Sequence, residues 1–427
     1  MIPPAMNNQG EEVKMKLSDA MQKQGEEGED STRRIRVCML SFYFFPDYSG
    51  SAIQAKNLSR YLANYNIEAF IVSANLSKSA RRDVVEGIPL YRIPVINTDL
   101  LLLPSFWLSL AIFLVLKRRD YDVIHAHGTV LHAIASLVGR LLGKKSLLKI
   151  AMANSDIAFQ RHGRLMGRVI RYLVERFDHY IATSKDIYAE FSEYGIPSSD
   201  VTLLPNGVDT LAFKPVGSDR DKSELRNTLG IPEGFIICFV GIIIARKNVD
   251  LIVRVWRELV LRGVKGSVVL VGPIPKDNDG RESEYVRNLR EYVSKNGLVD
   301  SVIFADRQER ISDYMRASDL FFFPSKQEGM PNVLLEAMAC GLPSVVSRIS
   351  GTADLVEEGR TGFLVSIDDE QTYTNVIYDL SQDRSLAASI GKNARESIMR
   401  RFSLSATAKQ YRMIYSSLLG LNSSEKY

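Results

Sequence analysis

Short apolar and β-branched runs alternate with helically spaced stretches along the chain, predicting strands and helices in succession. In the first half these runs are Arg36–Phe45, Asp122–His127, Ser146–Ala151, His179–Ser184 and Val201–Leu204. In the second half they are Phe235–Val240, Ser267–Val271, Val302–Phe304, Leu320–Phe323 and Ser344–Ser347. Most carry apolar residues on both alternations, as strands covered on two faces of a parallel sheet must. Two successive sets predict an α/β protein of two Rossmann-like domains. Pro205 and Asn206-Gly207 interrupt the pattern, which sets the domains at 33–205 and 206–402. Tyr411, Ile414, Tyr415 and Leu418 follow i, i+3, i+4, i+7 spacing, so residues 403–427 should hold an amphipathic helix and a tail.

Composition narrows the class without choosing a function. Of 427 residues, 45% are hydrophobic and 24% charged, which excludes collagen-like, coiled-coil and wholly disordered chains. Cys38, Cys238 and Cys340 stand far apart in apolar stretches, and no charged-then-apolar leader opens the chain. A reducing, cytoplasmic setting is expected. Charge is unevenly spread. Residues 1–32 carry three basic and seven acidic side chains and no apolar period, so a disordered acidic tail is expected there. Residues 33–205 are net +8 and the remainder is neutral. A basic N-terminal half suits an anionic partner.

Ligands of open parallel sheets bind beyond the carboxyl ends of the strands. The segment from Asp319 to Ser347, DLFFFPSKQEGMPNVLLEAMACGLPSVVS, ends a buried strand at Pro324 and carries Glu328-Gly329 in a loop. A helix is expected to begin near Pro331-Asn332, with the Asn332 side chain accepting a first-turn N–H as its cap. The amides of Asn332, Val333 and Leu334 would then face the cleft with the helix dipole behind them, an arrangement suited to a diphosphate. Glu336, one turn in, can accept hydrogen bonds from a pair of ribose hydroxyls. Glu328 would reach the opposite end of the ligand.

These residues resemble a known family. Glu328-x7-Glu336 with Gly-Met-Pro-Asn between and Glu-Ala-Met-Ala-Cys-Gly-Leu-Pro after looks like the signature of family 4 retaining glycosyltransferases of the GT-B fold. Gly359-Arg360-Thr361-Gly362-Phe363-Leu364, Pro46-Asp47-Tyr48-Ser49-Gly50-Ser51, Asp122–His127, Pro205–Asp209 and Arg246-Lys247-Asn248 agree with it. The resemblance spans roughly residues 34–420. It implies two Rossmann-like domains facing across a cleft, with the C-terminal helix crossing back to the N-terminal domain. It implies transfer of a sugar, with retention, from a UDP-, GDP- or ADP-linked donor to a glycan or lipid-linked acceptor in surface-polysaccharide synthesis. Glu336 would hold the ribose, Glu328 the donor sugar with Gly329 beside it, and Lys247 would neutralise the departing diphosphate. His127 would touch donor sugar or acceptor, leaving His125 structural. No cofactor or metal is implied, since Lys247 and a helix terminus can replace one. The two Asp-x-Asp triplets, Asp219/Asp221 and Asp277/Asp279, read as solvated turns.

Three departures from the family pattern matter. Ile242 stands where the family commonly has a phosphate-contacting Arg, and Arg246 is the obvious substitute, ahead of Arg307 and Arg348. A catalytically inactive, nucleotide-binding scaffold is therefore the alternative reading. Gly50 is followed by Ser51 where two glycines are frequent, and Ser51 can still offer its N–H to the donor. Ala153-Asn154-Ser155-Asp156 replaces a His-Gly-x-Asp stretch. Asn154, Asp156 and Asp47 are the candidates to meet the acceptor.

Two features suit an anionic membrane surface on the N-terminal domain. Leu100–Leu116 is apolar for 17 residues and precedes Lys117-Arg118-Arg119. It is short for a span and holds Pro104, so a buried helix covering the sheet is favoured over an interfacial one. Arg161, Arg164, Arg168 and Arg171 recur at helical spacing, and Lys144, Lys145 and Lys149 add to the charge. No nucleic-acid signature accompanies them.

Overall fold

The computed structural model describes residues 33–46, 49–128, 130–150, 164–277 and 279–421. Two parallel sheets carry the fold. The N-terminal sheet contains β1 (Ile35–Ser41), β2 (Ile67–Ala74), β3 (Arg82–Val85), β4 (Ile88–Ile93), β5 (Val123–His127), β6 (Lys145–Ile150), β7 (His179–Ala182) and β8 (Val201–Leu203). Its order is β3-β4-β2-β1-β5-β6-β7-β8, and only β3 runs antiparallel to its neighbour. The second sheet contains β9 (Phe235–Val240), β10 (Gly266–Val271), β11 (Val302–Asp306), β12 (Leu320–Phe323), β13 (Ser344–Ser347) and β14 (Phe363–Val365). Its order is β11-β10-β9-β12-β13-β14, parallel throughout.

All ten expected strands form, most shifted by a residue or two at an end. β1 stops at Ser41 because the Ser41 hydroxyl donates to the Tyr43 carbonyl and turns the chain, although Phe42 and Phe44 remain buried. Four strands were not signalled by an apolar run. β2 carries Glu68 and small residues, β3 and β4 form an edge hairpin holding Arg82, Pro89 and Arg92, and β14 is three residues long.

The terminal helix Leu404–Leu418 packs along helix Gly50–Leu62 and completes the core beneath β1 and β5. Tyr411 and Tyr415 are fully buried there. The Tyr415 hydroxyl lies 2.7 Å from His125 Nδ1, while His125 Nε2 has no partner. The end of the chain is thereby fastened to the first domain, which holds the two sheets face to face. Tyr415→Phe leaves both imidazole nitrogens unsatisfied in a dry core. We expect about 1–3 kcal/mol of lost stability by denaturant titration. A variant within 0.5 kcal/mol of the parent, on the order of ordinary surface changes, would contradict that role.

The apolar segment near residue 100 forms helix Leu102–Leu116, buried only through Phe106, Leu110 and Leu114. Leu108, Ile112 and Leu116 are exposed, so the expected buried helix is corrected to a half-covered one. No helix among the described residues is long and apolar enough to cross a membrane. All three cysteines are buried and unpaired.

Candidate active site

The carboxyl ends of both sheets open onto one cleft of about 490 Å³. On the C-terminal wall, the chain leaves β9 through Gly241 and makes a single short turn at Ala245–Lys247. Gly272 permits this path: at φ 144° it sits so close that a Cβ would lie 2.1 Å from the Gly241 carbonyl oxygen. The turn aims Arg246 and Lys247 at the loop after β12. The Lys247 ammonium pairs with Glu328 Oε1, and Arg246 Nη1 reaches the same oxygen at 3.3 Å. The Ser325 hydroxyl donates to it at 2.6 Å. Burial pulls the Lys247 ammonium below the ordinary lysine range, opposed by the Glu328 carboxylate. Two cations share one carboxylate, so a unit of positive charge is left facing the cleft. Ile242 lines the same wall, half-exposed. Arg348 is instead tied to Glu358 at 2.7 Å.

Helix Asn332–Ala339 begins beside this cluster, and two expectations about it are corrected. Pro331, not Asn332, occupies the cap position. The Asn332 side chain turns across the cleft, accepting from Gln54 at 3.1 Å and from Asn206 at 2.8 Å. Its own amide donates to the Gly50 carbonyl at 3.4 Å. Leu334 does not face the cleft, because it is fully buried and its N–H donates to the Pro331 carbonyl at 3.1 Å. Asn332, Val333 and Gly329 do line it.

Glu336 lines the floor with 8% exposure, and its Oε2 has no hydrogen-bond partner. Burial pushes its carboxyl up to about 7 from an ordinary 4.5. The folded protein thus holds this proton more tightly than the unfolded chain, so stability falls as pH rises from about 4.5 to about 7. Glu336→Gln removes the effect. We expect the variant to match the parent near pH 4 and exceed it by about 3 kcal/mol at pH 8. Paired melts at the two pH values measure this; a gap that does not widen would contradict it.

On the N-terminal wall, Gly50 and Ser51 open helix Gly50–Leu62 behind the Ser49 cap. Both border the cleft. His127, at the end of β5, is 3% exposed and stacks on His125 with ring centres 4.1 Å apart. Burial, with His125, Lys149 and His132 adding to it, holds its imidazole well below the ordinary range and hence neutral. Asp47, Asn154 and Asp156 lie outside the described residues. Gln54, Lys149 and Asn206 of the Pro205–Asp209 motif also border the cleft. The expectation of surface charge at Lys149 is corrected, since the residue is only 3% exposed. Lys144 and Lys145, in contrast, have partners, the Tyr121 carbonyl and Asp178.

Neither Asp-x-Asp triplet approaches the cleft. Asp219 and Asp221 sit in the first turn of helix Asp219–Leu229, and Asp277 and Asp279 pair with Arg281. Among the described residues no cluster of His, Cys, Asp or Glu could hold a metal ion.

Two family models match, Glycosyltransferase Family 4 over residues 48–211 and Glycosyl transferases group 1 over residues 221–397, and between them they take in most of the chain. The chain belongs to the family 4 glycosyltransferases of the GT-B fold. It is 26% identical over 383 residues to N-acetyl-alpha-D-glucosaminyl L-malate synthase of Bacillus anthracis, covering 88% of this chain and 96% of that enzyme. It is also 26% identical over 368 residues to the capsular polysaccharide biosynthesis glycosyltransferase CapM of Staphylococcus aureus, covering 84% and 92%. Among solved structures, HepE of Anabaena in complex with UDP superposes with a TM-score of 0.74 at 22% identity, covering 90% of this chain and all of that one. This glycosyltransferase carries its cleft between two facing sheets.

Proposed function

We propose that this glycosyltransferase moves a sugar from a nucleotide-sugar to a glycan or lipid-linked acceptor, with retention and without a bound metal. The observation that carries the reading is the meeting of three groups on one wall. These are the Arg246–Lys247–Glu328 cluster, the open amides at the start of helix Asn332–Ala339, and the unpartnered Glu336 carboxyl. The diphosphate lies between the cations and the amides, and charge gained by the leaving group is met by fixed positive ends. Glu336 accepts from the ribose hydroxyls. Glu328, held by two cations and Ser325, presents its remaining oxygen to the donor sugar. Arg246 takes the place that Ile242 leaves empty of charge, which supports transfer over an inactive scaffold. His127 offers a neutral ring to sugar or acceptor. CapM and the malate synthase, by their names, act in capsule assembly and on L-malate.

The test is a panel of UDP-, GDP- and ADP-sugars assayed for nucleotide release and for the anomeric configuration of the product. One donor should turn over, with retention, and excess EDTA should change the rate less than twofold. Inversion, or loss of activity on chelation, would contradict the reading. Nucleotide binding with no turnover of any pair would favour the scaffold.

We further propose that the N-terminal domain rests on an anionic membrane surface. Exposed Leu108, Ile112 and Leu116 share a domain with exposed Arg118, Arg119, Arg168 and Arg171, and Trp107 of the same helix lines a surface pocket with Arg168. Combined Leu108→Ser and Ile112→Ser changes should weaken co-sedimentation with phosphatidylglycerol vesicles at least fivefold. Unchanged pelleting would sink this proposal.

A further inference from the structure

The proposed chemistry leaves the lysine of the N-terminal wall unused. Lys149 ends the N-terminal wall at β6, in register with His127 on β5 and beside Ile181 on β7. Its carbonyl accepts from the Gly128 N–H at 2.7 Å, which fixes the backbone where the strand opens onto the cleft. The side chain is 3% exposed and borders the cavity.

Among the described residues its surroundings hold no opposite charge. The histidines of β5 are neutral, and the Tyr411 ring lies 5.8 Å from its ammonium. It forms no ion pair with any described carboxylate. Across the cleft the contrast is sharp, since Arg246 and Lys247 already share Glu328. A buried ammonium without a partner costs several kcal/mol of hydration. Burial accordingly pushes Lys149 down to about 7. Such a group becomes favourable once an anion enters beside it.

We infer that Lys149 binds an anionic group, a phosphate or carboxylate, carried by the acceptor. The inference rests on the transferase reading above, and it assigns a substrate class to the N-terminal side of that same cleft. The donor diphosphate is served by the opposite wall, so a second cation on this side answers to a second anion. The neutral His127 beside it leaves Lys149 as the anion's charged contact among the described residues of this wall.

The experiment is calorimetry on the full chain, first with UDP, GDP and ADP, then on the nucleotide-saturated protein. The probes are glucose 1-phosphate against methyl α-glucoside, and L-malate against dimethyl malate. At least one anion should bind tenfold or more tightly than its neutral counterpart, and which pair responds separates phosphate from carboxylate. Lys149→Met should abolish that preference, Lys149→Arg should keep part of it, and nucleotide affinity should stay within twofold. The methionine variant should melt no lower than the parent, because it removes a desolvated charge. No preference in the parent, or a preference that survives in Lys149→Met, overturns the inference. So does a Lys149-dependent gain of UDP-glucuronate over UDP-glucose, which would assign the cation to the donor sugar. If no nucleotide binds the parent, the transferase reading fails at the first titration, before Lys149 is tested.

Discussion

Lys247→Ala should lower kcat by about 10²–10³-fold, the range seen when one fixed stabiliser of developing charge is removed. The ammonium is positioned by Glu328 and by the Phe323 ring 4.9 Å away, so its orientation costs nothing when the bond to the leaving diphosphate breaks. Because Arg246 and Ser325 still hold Glu328, the loop should keep its place and the variant should fold. The substrate is charged before and after transfer, but the bridging oxygen gains charge only as the bond breaks. The loss should therefore fall on kcat more than on KM. Steady-state rates with whichever donor the nucleotide-sugar panel selects measure it. A kcat within tenfold of the parent would remove Lys247 from the chemistry.

Gly351→Ala should be as damaging, from a position outside the cleft. A Cβ there would lie 1.7 Å from the Gly329 carbonyl oxygen and 3.0 Å from Met330 Cα. Neither contact involves a side-chain tip that could swing away, so the loop carrying Glu328 must shift by more than an ångström. Met330 moves with it, and its sulfur accepts the Asn206 N–H at 3.2 Å, at the first residue of the second domain. Misplacement on this scale costs about 10²-fold in rate, and the overpacking costs about 1–3 kcal/mol in stability. Activity and thermal melts read on the same preparation separate the two. An alanine variant with parental kcat/KM would show that the loop position is not held by this approach.

Much of the second domain was legible because its strands are short, doubly covered and apolar without interruption. β9, β12 and β13 fall where the hydrophobic runs place them, and Glu328 and Glu336 reach one cleft from a single continuous segment. The first domain was harder to read. β2 and β4 carry polar residues, and their places in the sheet follow from neighbours far away in sequence. Asn332 shows a related limit: its amide groups bond Gln54, Asn206 and Gly50, partners that no local spacing indicates. A lysine in an apolar run reads as a flanking charge, and only the packing of β5, β7 and the terminal helix turns Lys149 into a buried cleft residue. The unbonded oxygen of Glu336 is likewise a property of the folded core.

The most direct test is a crystal structure of the protein with the nucleotide that binds it, grown at saturating concentration. The account requires the diphosphate against Lys247, Arg246 and the amides of Asn332 and Val333, with both ribose hydroxyls on Glu336. A nucleotide seated elsewhere, or an empty cleft at full saturation, would contradict it.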